Sequence, residues 1–109
     1  MRTVVELESF IDLVEGRLTD DERFELVSFL ALNPTAGVLI PGAGGARKLR
    51  WGTSGRGKSG GARVITYYHC EGCPIFLLSI YLKSERENLS RAEIIAFKVV
   101  CKELAHEHE

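Results

Sequence analysis

Two apolar runs constrain what this chain folds into. Ala62 to Cys70 carries Val64, Ile65, Thr66, Tyr67 and Tyr68, and Ile75 to Lys83 carries Phe76, Leu78, Ile80, Tyr81 and Leu82. β-Branched and aromatic residues at this density suit a pleated, half-buried surface. Glu71-Gly72 between the runs reads as a tight turn, so the pair predicts an antiparallel hairpin. Strict alternation in the second run places Phe76, Leu78, Ile80 and Leu82 on one face, and Ser79, Tyr81 and Lys83 on the other. One side then packs under helices and the other is a working surface.

Helical signals flank the hairpin. Thr3 to Leu7 predicts a short strand, and Ser9 is placed to cap a helix carrying Phe10, Leu13 and Val14. Thr19 with Glu22 three residues on is a capping-box signature, with Asp20 and Asp21 at the positive end of the helix dipole. Phe24, Val27, Leu30 and Ala31 form the apolar face of that second helix, which Asn33-Pro34 stops. Ser90 and Glu93 open a C-terminal helix with the stripe Ile94, Phe97, Cys101 and Leu104. The order predicts an α+β domain, and 109 residues with 45% hydrophobic content suit one domain spanning 1–109.

No apolar run approaches the length of a spanning helix, and acids interrupt the N-terminus where a signal peptide is apolar. A cytoplasmic protein without membrane contact is expected. Three cysteines are an odd count, which does not make a disulfide framework and agrees with a reducing compartment. Cys70 and Cys73 have C-x-x-C spacing. A redox pair of that spacing sits at a helix N-terminus, whereas these flank a turn; zinc is the other option, with His69 or Cys101 as further ligands, and a plain turn is the third. Cys101 falls on the apolar helix stripe and reads as core.

Charge is distributed unevenly. Arg47 to Arg63 holds Arg47, Lys48, Arg50, Arg56, Lys58 and Arg63 without an acid, although the formal net charge of the chain is −1. Gly52 to Ser59 matches the phosphate-loop pattern G-x-x-x-x-G-K-S, but that mechanism requires a helix directly after the lysine, and here Gly60-Gly61 leads into a strand. Arg47 to Trp51 alternates: a strand puts Arg47, Leu49 and Trp51 on one face and Lys48 with Arg50 on the other. If the strands pair as neighbours, Lys48 and Arg50 approach Arg63 and Lys83 across one sheet face. Like charges repel there unless an anion occupies the gap. Tyr67 and Tyr81, in phase with Arg63 and Lys83, are candidates for base stacking, and Arg47, Arg56 and Lys58 for gripping RNA. None of the three histidines stands beside a nucleophile with an orienting group, so triad chemistry is unsupported.

The runs V-L-I-P-G-A-G-G-A-R-K-L-R-W, G-R-G-K-S-G-G-A-R-V-I-T-Y-Y and P-I-F-L-L-S-I-Y-L-K-S-E-R-E-N-L-S resemble the RelE/HigB superfamily of toxin–antitoxin toxins, in its HigB-like branch, nearly end to end. The resemblance implies a small antiparallel sheet with an N-terminal helical hairpin and a C-terminal helix packed on it. It implies a metal-independent, cofactor-free endoribonuclease that cleaves mRNA in the ribosomal A site. The implied partners are mRNA on the 30S subunit, ribosomal RNA and a HigA-like helix-turn-helix antitoxin, with DNA reached only through the antitoxin complex. By position it makes Arg63, Lys83, Lys48 and Arg50 the catalytic residues. Some members place a tyrosine after the last strand, where this chain has Asn88-Leu89, which leaves the proton acceptor open with Lys48 or Lys83 as candidates. The alternative from another class is a non-catalytic RNA- or ribosome-binding module that blocks translation by occupancy.

Overall fold

A computed structural model describes residues 2–52 and 61–108. The predicted contributions of Arg56 and Lys58, and the phosphate-loop match, lie outside the described residues. In chain order the elements are β1 (Val4–Glu6), α1 (Glu8–Val14), α2 (Asp20–Leu32), β2 (Val38–Leu39), β3 (Arg47–Trp51), β4 (Ala62–Tyr68), β5 (Ile75–Leu82) and α3 (Arg91–Glu107). The strands form one sheet in the order β1-β5-β4-β3-β2. β2 to β5 pair antiparallel, but β1 lies parallel to β5, with Val5 opposite Phe76. The sheet is therefore mixed, not purely antiparallel as expected. The α+β class stands.

Both expected capping boxes form. Thr19 Oγ1 accepts from the Glu22 amide at 3.1 Å while Glu22 Oε1 accepts from the Thr19 amide at 2.8 Å, and Ser90 with Glu93 repeats the exchange at the start of α3. Each box satisfies helix-end amides that otherwise lack partners. Ser9 behaves differently from the cap expected of it. It lies inside α1, behind Leu7 at the N-cap, and its Oγ donates to the Leu78 carbonyl at 2.6 Å. On α2 the buried side is Glu22, Leu26, Leu30 and Ala31, whereas Phe24 is 73% exposed, so the apolar face lies one step round from the predicted one.

Two cores sandwich the sheet. On one face Phe10, Val14, Leu18, Leu26 and Leu30 pack on Ala62, Val64, Ile75, Leu77, Ile80 and Leu82. On the other, Cys101 and Leu104 of α3 join Ile40, Ala43, Ala46, Ile65, Tyr67, Phe76, Leu78 and Tyr81. Every residue of β5 is consequently buried, and the expected division into one packed and one working side fails for this strand. A β-bulge also splits the single apolar face expected of this strand. Ile65 pairs with Ser79 and Thr66 with Leu77, so Leu78 is an extra residue that shifts the phase of the strand. Before it, Phe76 and Leu78 face α3; after it, Ile80 and Leu82 face α1 and α2.

The hairpin turn is where the sequence put it. Cys73 N donates to Cys70 O at 2.9 Å, and Gly72 takes φ +87°, a conformation natural to glycine. That turn brings the Cys70 and Cys73 Cα atoms to 5.3 Å, and their sulfurs are bonded to each other. Of the readings open for the C-x-x-C pair, the structure thus has the two cysteines bridged across a turn, with Cys101 left as a free thiol. Cys101 is fully buried in the α3 core, as expected, and burial pushes its thiol up to about 11.

Candidate nucleic-acid interface

Register decides which cations meet. β3 pairs with β4 so that Arg50 lies opposite Arg63 and Lys48 opposite Ile65, and β4 pairs with β5 so that Arg63 lies opposite Tyr81. Lys83, one residue beyond β5, donates its amide to Gly61 O at 3.0 Å, which extends the ladder past the strand end. Gly61 suits this position because a Cβ there would stand 2.8 Å from the Trp51 carbonyl oxygen. Leu49 and Trp51 point to the α1/α2 core, and Trp51 packs against Phe29 with ring centroids 5.3 Å apart and the ring planes tilted by 49°. Period-two geometry then turns Lys48 and Arg50 to the opposite face, as read from the sequence.

Lys48, Arg50, Arg63 and Lys83 together line one open concavity of about 300 Å³, with Glu87 and Asn88 completing its wall. All four residues singled out as catalytic are therefore brought together. None makes an ion pair among the described residues, whereas Arg17, Arg23 and Arg86 are each bonded to a glutamate. Arg63 is only 9% exposed, and among the described residues its guanidinium reaches the neighbouring Ala62 carbonyl, at 3.4 Å. A buried cation without a carboxylate is costly unless an anion completes its surroundings.

The loop after β5 is clamped at two points. Glu85 accepts from the Leu82 amide at 2.8 Å and from Arg17 Nε and Nη2 at 2.8 and 2.6 Å, and the Arg17 guanidinium holds its carboxyl below the usual range. Arg86 binds both carboxylate oxygens of Glu93 at 2.5 and 2.7 Å and lies over the Tyr81 ring, 4.6 Å from its centroid. Fork-to-fork pairing of this kind fixes orientation as well as charge. With Glu85 and Glu93 engaged, the loop presents Glu87 and Asn88 to the concavity.

Other predicted contributors fall elsewhere. Arg47 is on the α1/α2 side of β3, where its Nη1 contacts the Gly37 carbonyl at 3.4 Å, away from the cation cluster. Tyr67 and Tyr81 do share the Arg63 face, but they are 6% and 3% exposed beneath α3, so neither ring is offered for base stacking. Burial pushes both phenols up. Glu87 was not singled out from the sequence. Its signal was faint: an acid in a charged loop, distinguished only once Glu85 and Glu93 are seen to have arginine partners.

The sequence model described as the RelE toxin of the RelE/RelB toxin–antitoxin system matches residues 39–109. The chain belongs to the RelE toxin family. The matched segment runs from the end of β2 through α3 and contains every residue of the concavity, while β1, α1 and α2 precede it. The similarity is thus shorter than the nearly end-to-end resemblance expected. Membership makes the chain a toxin-type component of a toxin–antitoxin pair, with an antitoxin as its family partner. Among the described residues no helix is long and apolar enough to cross a membrane.

Proposed function

We propose that this RelE-family chain is an mRNA endonuclease that acts on the translating ribosome and stops protein synthesis, with Lys48, Arg50, Arg63 and Lys83 as its phosphate-binding and catalytic cations. The supporting observation is the convergence of these four on one concavity, with Arg63 buried and without a carboxylate partner among the described residues. A phosphodiester is the anion that fits both the charge and the family. In the proposed reaction the ribose 2′-oxygen attacks the adjacent phosphorus and the bond to the 5′-oxygen breaks, which leaves a 2′,3′-cyclic phosphate and a 5′-hydroxyl. The pentacoordinate state carries more negative charge than the starting diester. A fixed cation cluster therefore stabilises the transition state more than the ground state, and that difference is catalysis. Membership of a HigB-like branch and a HigA-like helix-turn-helix antitoxin complete the reading.

Purified protein is incubated with programmed ribosomes and the message 5′ ends are mapped. New ends within A-site codons that disappear with Arg63→Ala support the nuclease. Inhibited translation with intact message identifies a module that acts by occupancy instead.

A further inference from the structure

Resting on that reading of the cleft, we propose that Glu87 is its general base, the group that takes the proton from the attacking 2′-hydroxyl. The argument starts from what the lining residues are able to accept. Ammonium and guanidinium groups are donors only, and the Asn88 amide is not a proton acceptor at neutral pH. Among the described lining residues Lys48, Arg50, Arg63, Lys83, Glu87 and Asn88, the carboxylate alone combines a free lone pair with ready protonation. The nearby acids, Glu85 on the same connection and Glu93 in the first turn of α3, are committed elsewhere. Glu85 is held by Arg17 and Glu93 by Arg86, whereas Glu87 has no arginine partner among the described residues.

The clamps explain how an exposed loop residue holds a catalytic position. On the N-terminal side of Glu87, Glu85 is tied to Arg17 and the Leu82 amide and Arg86 to Glu93 of α3, and on its C-terminal side Ser90 caps α3. Only a short reach of backbone remains to be ordered, so the carboxylate is confined near the cations. The proton balance closes without a cofactor. The 2′-O–H proton passes to a Glu87 carboxylate oxygen as the 2′-oxygen bonds to phosphorus. The departing 5′-oxygen is protonated by a lysine ammonium of the cleft, and solvent returns both groups to their starting states.

The test compares wild type, Glu87→Gln and Arg63→Ala in two assays. One is cleavage of message on programmed ribosomes. The other is binding to ribosomes whose message carries a 2′-O-methyl group at the position the wild type cuts, which removes the transferable proton and reports assembly alone. Glu87→Gln is expected to cut about 10²–10⁴-fold more slowly while binding as tightly as wild type or more so, because a negative charge has left a cationic cleft. Arg63→Ala is expected to lose both. Cleavage by Glu87→Gln within about threefold of wild type overturns the proposal, as does a parallel loss of binding and cutting, which makes Glu87 a docking residue. If wild type itself leaves the message intact, the nuclease reading fails first and the assignment of Glu87 falls with it.

Discussion

Arg50 and Arg63 stand directly opposite each other on β3 and β4, two cations in one cross-strand pair. Such a pair is destabilising, by an amount within the roughly 0.2–1 kcal/mol span of cross-strand effects. A bound anion reverses the sign of that interaction. Without an anion the pair carries a small penalty that anion binding would remove.

This relationship predicts an anion-dependent melting temperature. Inorganic phosphate or sulfate should raise the wild-type midpoint at constant ionic strength, because a ligand that binds only the folded state stabilises it by mass action. Arg50→Gln should be more stable than wild type by a few tenths of a kcal/mol without the anion, and should respond less to it. Differential scanning fluorimetry with chloride as the matched control checks both. A larger anion response in the variant than in wild type contradicts the account.

Tyr81 gives a sharper distinction between packing and recognition. Its hydroxyl is buried with no hydrogen-bond partner among the described residues, while its ring lies under Arg86 and α3. Tyr81→Phe removes an unsatisfied polar atom and keeps the ring, so stability should be unchanged or higher by about 1 kcal/mol. Ribosomal cleavage should be unaffected. Urea denaturation and the mapped-end assay measure these separately, and a large loss of cleavage at unchanged stability restores a contact role for this side chain.

Acid should loosen the loop that carries Glu87. Arg86 and the Ser90 cap hold the Glu93 carboxyl well below its ordinary value, at about 2. A depressed carboxylate contributes stability that is present above the unfolded value of about 4.5 and lost as pH falls toward the folded value. The loss should span roughly pH 4.5 to 2 and amount to about 1 kcal/mol once solvent screening is allowed for. Glu93→Gln should be less stable than wild type at neutral pH and should show a flatter acid limb. A variant whose acid limb overlays wild type removes Glu93 from the account.

Gly61 should tolerate no side chain. A Cβ at this position lies 2.8 Å from Trp51 O, and the Gly61 carbonyl also receives the Lys83 amide. Gly61→Ala should cost about 1–3 kcal/mol, the scale of overpacking, and should speed hydrogen exchange at the Lys83 amide. Cleavage should fall along with it, since one adjustment separates the strand ends that carry Arg50, Arg63 and Lys83.

Features that depend on a few adjacent residues were legible in the sequence. Thr19 with Glu22 and Ser90 with Glu93 cap their helices as read, and the alternation of Arg47 to Trp51 gives the observed faces. The convergence of Lys48, Arg50, Arg63 and Lys83 was also legible, since it needs only neighbouring strands and a period of two. What escaped depends on third parties. Ser9 leaves its cap role for the Leu78 carbonyl of a distant strand, and α3 covers the face on which Tyr67 and Tyr81 looked available. The parallel placement of β1 is a topological choice that no short pattern in Val4–Glu6 encodes. Glu87 gains meaning only by elimination, after tertiary contacts have occupied Glu85 and Glu93.

The extra residue at Leu78 also decides which side of the sheet each half of β5 presents. Ile80 and Leu82 reach the α1/α2 side, and Lys83 reaches the cation cluster, because one residue shifts the strand by half a repeat. Were Leu78 kept and the strand straightened, strict alternation would send Lys83 to the opposite side and move Ile80 and Leu82 into the other core. Deleting Leu78 itself would instead leave the pairings of Ile65 with Ser79 and Arg63 with Tyr81 intact, so the cleft would keep its four cations while the α3 side of the core lost one apolar side chain.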